Sequence, residues 1–111
     1  MTAPLRRALG ALFILALALP AWAGLPNYDL QLKDGELSPQ PLHVKAGERF
    51  KISLHNAGSG PAEFESDDLR LEKVLSPGAR SFVVVYPLKP GEYDIFDEFH
   101  LPESKGRIIA E

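Results

Sequence analysis

Within seven positions near the end of the chain, the run from Asp97 to Glu103 supplies three carboxylates and an imidazole: Asp97, Glu98, His100 and Glu103. Oxygen and imidazole donors at such short spacing suit a first-row metal ion. They suit a solvated acidic loop equally well, and the residues before them bear on the choice. From Gly91 to Phe99, an extended chain puts Tyr93, Ile95, Asp97 and Phe99 on one face. That face is otherwise apolar, so the pattern carries a carboxylate onto the apolar side at a strand's end. A carboxylate taken out of water needs a cationic or hydrogen-bonding partner, or it takes up a proton. His100, three residues on, is the candidate partner.

The elements that must position these groups read as strands. Tyr28, Leu30 and Leu32 alternate with Asp29, Gln31 and Lys33, and Asp34-Gly35 is a hairpin turn. Leu37, Leu42 and Val44 continue the apolar side, with Pro39 and Pro41 marking an edge or a break. Ala46-Gly47 turns the chain into the alternation Phe50 to His55, followed by a loop from Asn56 to Pro61. Short runs follow at 63–66, 71–75, 82–86, 92–97 and 105–110, separated by Gly/Pro turns, with one helical turn at Asp67–Leu69 capped by Asp67 or Asp68. No stretch has the length and period of a long helix. The prediction is an all-β, antiparallel Greek-key β-sandwich of about seven to eight strands. Its core is expected to hold Phe50, Ile52, Leu54, Val84, Tyr93 and Ile95.

Counting strand directions brings distant loops together. If strand 28–33 climbs, Asp34-Gly35, Asn56–Pro61, Ser76–Arg80 and Glu98–Ser104 all fall at one end. Asp34, Glu63, Asp97, His100 and Glu103 then converge, although they are scattered in sequence. Such a convergence favours a metal site over a solvated loop. His43 and His55 lie beside inward-facing apolar residues and are expected to face solvent. Glu65 shares a face with Glu63 and is either a further candidate carboxylate or simply a residue of the outer sheet face.

Composition narrows the class. Arg6-Arg7, the apolar run from Ala8 to Leu19 and the small residues around Trp22 have the form of a secretory signal peptide spanning 1–23, cleaved after Ala23. The run is short for a membrane span, which needs about 20 residues. Residues 24–111 are then one exported domain, soluble, not membrane-embedded and expected in the periplasm. The chain has no cysteine, which excludes disulfides, a thiolate copper centre and a cysteine nucleophile. Outside the leader it carries 15 acids against 10 Lys and Arg. That balance argues against nucleic acid and for cations or basic partner surfaces. No Ser-His-Asp arrangement or phosphate loop is present.

The stretches LSPQPLHVKAGERFKISLHNAGSGPAEF and PGEYDIFDEFHLPESKGRII together resemble the two halves of a cupredoxin. In that pattern Asp97 stands at the cysteine ligand, His100 at the histidine that follows it, and Ser104 or Glu103 at the methionine. Ala62, after Pro61, stands at the first histidine, with Glu63 beside it. The blue-copper ligands are therefore mostly replaced. EFESDDLRLEKVLSPG with PLKPGEYDIFDEFH resembles, more narrowly, the cupredoxin-like proteins of bacterial iron uptake, namely the N-terminal domain of EfeO-type proteins and the stand-alone FtrB type.

That resemblance implies a periplasmic copper-binding component that oxidises Fe(II) to Fe(III), beside a periplasmic iron-binding subunit and an inner-membrane iron permease. Carboxylate and imidazole donors suit Cu(II), Fe or Mn, and without a thiolate they give a pale copper centre. His100 and Asp97 are the expected copper ligands and redox residues. Asp34, Glu63, Glu98 and Glu103 complete that site or form a second one that holds iron as substrate. The alternative is a module that binds or delivers copper or iron without turnover. A metal-free interaction domain leaves the buried Asp97 unexplained.

Overall fold

The computed structural model of the chain describes residues 24–111. The leader assigned to 1–23 lies outside the described residues. Among the described residues nine strands are present: β1 Asn27–Lys33, β2 Glu36–Ser38, β3 Leu42–Val44, β4 Phe50–Asn56, β5 Ala62–Ser66, β6 Leu71–Leu75, β7 Arg80–Val85, β8 Gly91–Asp97 and β9 Lys105–Ala110. One 3₁₀ turn, Glu98–His100, follows β8. The strands form two sheets, ordered β2-β1-β4-β7 and β3-β9-β8-β5-β6. Among the described residues no helix is long and apolar enough to cross a membrane.

The all-β sandwich is as expected, with two differences in detail. The Pro39-Gln40-Pro41 step splits one predicted edge into β2 and β3. Proline cannot donate to a ladder, so pairing stops there and the chain crosses to the opposite sheet. This raises the strand count to nine. The crossing also makes two of the pairings parallel, β1 with β4 and β3 with β9, where an antiparallel arrangement was expected. The hairpin at Asp34-Gly35 forms as read. Both residues have positive φ, 46° and 92°, as a two-residue turn between right-twisted strands requires.

The core lies between the sheets. Period-two alternation gives it Leu30 and Leu32 of β1, Phe50, Ile52 and Leu54 of β4, Phe64 of β5, Ile95 of β8 and Ile108 of β9, all essentially inaccessible. Each such side chain contributes roughly 1.5–3 kcal/mol by leaving water. Three expectations need correcting. Val84 faces outward, with Val83 and Val85 in the core, because β7 is apolar on both faces and its parity was set by pairing with β4. Tyr93 packs at the core's margin and is only half-buried. Phe99 is exposed, because the strand ends at Asp97 and the 3₁₀ turn breaks the alternation. The turn after β5 is held by Ser66, whose Oγ accepts from the Leu69 N–H and donates to the Asp94 carbonyl. Asp68 instead accepts from the Asp94 N–H.

One end of the sandwich gathers the β1–β2 hairpin, the β4–β5 loop, the β6–β7 turn and the β8–β9 loop. Ser59 bonds Asp34, the Gly78 N–H reaches the Asn56 carbonyl, and His100 lies against Gly35. The opposite end holds the 45–48 and 87–90 turns and the end of β9.

Candidate metal centre

Asp97 is the last residue of β8 and is fully buried. It pairs in register with Phe64 of β5, so its side chain points into the sandwich as the alternation requires. Three contacts converge on its carboxylate. Oδ1 takes the Glu63 N–H at 2.9 Å and the Phe99 N–H at 3.1 Å, and Oδ2 lies 2.7 Å from His100 Nδ1. Among the described residues no Lys or Arg forms an ion pair with it, and His100 is its one ionisable partner. Ser104, also buried, closes the loop beneath. Its Oγ donates to the Asp97 carbonyl at 2.5 Å, and its own carbonyl accepts the Asp97 N–H at 3.0 Å. The bonds around one strand end therefore fix Asp97, the 3₁₀ turn and the return into β9 together.

His100 is about a third exposed. Its Nδ1 is engaged with Asp97. A metal ion at this end would be held by the Asp97 carboxylate and the His100 imidazole, which already lie at hydrogen-bond distance from one another. One hard oxygen and one imidazole nitrogen, with no sulfur, match Cu(II), Fe or Mn rather than Cu(I).

The remaining predicted site residues divide. Asp34 lies at the same end, but its Oδ1 is taken by the Ser59 N–H at 2.8 Å and the Ser59 hydroxyl at 2.9 Å. Those bonds, the backbone one first, hold its carboxyl below the usual range, and the nearby His100 lowers it further. Glu63 touches Asp97 only through its backbone N–H. Its side chain points to the outer face of the five-stranded sheet. There Glu63, Glu65 and Glu72 bring carboxylate oxygens within 4.8 Å of one another. Burial, then the neighbouring charges of Glu72, Glu98 and Asp97, raises the Glu63 carboxyl. Glu65 is raised by burial and then by Glu98 and Glu63. Glu98 thus belongs electrostatically to this outer group. Glu103 is exposed and lines a separate shallow groove with Gly35, Glu36, Leu37, Gln40 and Lys105. His43 is exposed and bonds Glu111, and His55 lies half-buried on the outer face of β4.

Sequence reasoning left Glu65 between a metal carboxylate and an outer-face residue, and passed over Glu72. Glu65 and Glu72 face each other only because β5 and β6 pair in the register Glu65↔Glu72. The one sequence signal for this was the tight turn at 67–70, which makes residues equidistant from it cross-strand neighbours.

The family model of the cupredoxin-like domain matches residues 6–110. A protein of Rickettsia prowazekii, described only as uncharacterized, is 36% identical over 81 residues, covering 73% of this chain. The match spans 65% of that relative, slightly under two thirds of its length. Among solved structures, reduced auracyanin from Roseiflexus castenholzii superposes with a TM-score of 0.65 at 12% identity, covering 77% of this chain and 96% of that one. A purple cupredoxin from Nitrosopumilus maritimus gives a TM-score of 0.59 at 19% identity, covering 75% and 98%. The metal-binding domain of the Cu(I)-exporting ATPase CopA of Streptococcus pneumoniae, a structure with Cu(I), gives 0.64 at 11% identity, covering 77% and 84%.

Proposed function

The chain belongs to the cupredoxin-like domain family, and on that premise we propose that it binds copper at His100 and Asp97, without a thiolate, and oxidises Fe(II). The observation that carries this reading is Asp97. The end of the sandwich where four connections meet buries a carboxylate, with a histidine as its one ionisable partner among the described residues. A salt bridge from Lys or Arg would have served structure alone; an imidazole adds a ligand.

Copper(II), if held by Asp97 and His100, would supply a one-electron acceptor for Fe(II), with an external acceptor taking the electron onward. The protein's own groups provide the rest. The Glu63 and Phe99 N–H groups and the Ser104 hydroxyl hold the Asp97 segment rigid, so the ligand pair is preorganised. Glu63 joins the two regions: its backbone binds Asp97, and its side chain belongs to the Glu63–Glu65–Glu72 group. Hard carboxylates favour Fe(III) over Fe(II) and so make the electron easier to remove. The position of that group on the outer sheet face favours release of the product to a partner.

Within an iron-uptake system, that partner is a periplasmic iron-binding subunit serving an inner-membrane permease. The FtrB- or EfeO-type assignment and the periplasmic location rest on the sequence resemblance and on the leader-like residues 1–23. A carrier that binds copper or iron without turnover is the second reading, favoured by the partial exposure of His100.

Titrating the metal-free protein with Cu(II) tests the first step. Asp97→Ala and His100→Ala should each abolish or greatly weaken binding, and His43→Ala and His55→Ala should leave it intact. Equal loss from His43→Ala would place the metal elsewhere. The copper-loaded protein is then given Fe(II), and loss of Fe(II) is followed with a chelator. Oxidation no faster than with the same concentration of free copper means a carrier, and the enzyme reading fails.

A further inference from the structure

The hairpin tip that carries Asp34 also carries the wall against which His100 rests. A Cβ placed on Gly35 would lie 3.1 Å from His100 Cβ, 3.5 Å from Cγ and 3.7 Å from Cδ2. The imidazole is therefore sandwiched, with Nδ1 turned to Asp97 and its carbon edge against the Gly35 backbone. Gly35 has φ +92°, which only glycine adopts without strain. Behind the tip stands the β4–β5 loop. Its Ser59 clamps Asp34 Oδ1 with two hydrogen bonds. Its Gly58 approaches so closely that a Cβ would fall 2.7 Å from the Asp34 N atom and 2.8 Å from Oδ1. Buried Asn56 holds that loop in turn, accepting the Gly58 N–H and donating to the Gly60 and Leu75 carbonyls.

We propose that Asp34 is a positioning residue and not a metal ligand: latched by Ser59, it presses the Gly35 backbone against His100 and so fixes the ring that binds metal. The inference rests on the copper reading for its consequence and on the metal-free geometry for its cause. Asp34 spends Oδ1 on the latch. The function of the latch is to keep the hairpin tip from moving away, which would free the imidazole to rotate out of line with Asp97.

The two roles of Asp34 predict opposite results from one pair of variants. Asn keeps an oxygen that can accept both Ser59 bonds but loses the anionic donor; Ala loses both. A latch predicts that Asp34→Asn keeps wild-type Cu(II) affinity within about twofold, whereas Asp34→Ala, Ser59→Ala and Gly35→Ala weaken it roughly 10- to 100-fold, as expected for residues that orient a ligand. A ligand predicts that Asp34→Asn falls as far as Asp34→Ala, and that Ser59→Ala is nearly silent. The second measurement needs no metal. Carbon and nitrogen chemical shifts and χ1 couplings of the His100 ring in the metal-free protein should change in Gly35→Ala and Ser59→Ala and stay put in Asp34→Asn. Ring signals unmoved by Gly35→Ala and Ser59→Ala, in variants with wild-type far-UV spectra, overturn the wall. If wild type binds no copper while these ring signals do move, the copper reading fails and the wall stands.

Discussion

Asn56 ends β4 almost wholly inaccessible, and its side chain makes three hydrogen bonds to backbone groups of the β4–β5 loop and of the end of β6. Truncation to Ala strands buried carbonyls and an N–H, at a cost of about 1–3 kcal/mol for each group left unsatisfied. Asn56→Ala should therefore lower the chemical-denaturation midpoint clearly without changing its slope. Asn56→Asp should be at least as damaging near neutral pH, because a carboxylate would face the Gly60 and Leu75 carbonyls that now accept from the amide. Asp34, at the other side of the same loop, has the opposite electrostatic position. Its carboxyl is lowered by the Ser59 backbone and side-chain bonds, so it contributes stability above its ordinary value of 3.8, and that contribution is lost as pH falls through the lower folded value. The stability difference between wild type and Ser59→Ala should hold constant above that ordinary value and shrink below it. A difference that instead grows on acidification would mean that the latch does not act through the charged carboxylate. Asp97 was legible from its parity alone, because a carboxylate in phase with Tyr93 and Ile95 must be buried. The Ser59 latch was not: nothing in the sequence shows which loop a hairpin tip will lean on.

At the scale of elements, β7 shows where period-two reading fails. Phe82, Val83, Val84 and Val85 are apolar on both faces, so alternation gives no direction. The structure settles it through the pairing Lys51↔Val84 and Ile52↔Val83, which follows β4, where the pattern is unambiguous. The outward side is also covered, with the Lys51 ammonium 5.3 Å from the centre of the Phe82 ring. Val83→Ala should cost roughly 2–3 kcal/mol from lost burial and a residual cavity, while Val84→Thr should change stability by less than about 0.5 kcal/mol. Equal costs would mean that the strand sits in the other phase. The β5–β6 pair carries the opposite kind of surprise. Glu65 faces Glu72 directly, a like-charge pair that a strand pair disfavours. With Glu63 and Glu65 raised above 4.5, first by burial and then by neighbouring charge, the folded state holds their protons more tightly than the unfolded chain does. The group is thus no burden below that ordinary value, and it destabilises increasingly as pH rises through the folded values. Glu72→Gln should accordingly raise the melting temperature at neutral pH, with the gain fading on acidification. A gain that persists at low pH would point to propensity rather than charge.

For the whole molecule, the strand-direction count placed the loops at the correct end because a sandwich allows each short strand only two directions. What it could not resolve was which sheet each edge strand joins, and hence that Glu63 would turn its side chain away from Asp97 and toward Glu65 and Glu72. The consequence is a domain with two acidic regions back to back across β5, an inward one at Asp97 and an outward one on the sheet face. The chain carries a formal charge of −3, and clustering of acids on one face concentrates the field that draws cations toward this end of the molecule. If that face holds Fe(II) for oxidation, its removal should act on capture and leave copper alone. Glu63→Gln with Glu65→Gln, assayed with copper saturated, should raise the Fe(II) concentration for half-maximal rate roughly tenfold and leave the rate at saturating Fe(II) near that of wild type. Cu(II) affinity should be unchanged, since Glu63 meets Asp97 through its backbone N–H, which the substitution preserves. Added salt should narrow the gap between variant and wild type by screening the same field. A double variant that loses copper would show the outer carboxylates to be part of the copper site. One whose Fe(II) dependence matches wild type at low salt would show that the acidic face takes no part in oxidation, and iron would then have to approach through the loops beside His100.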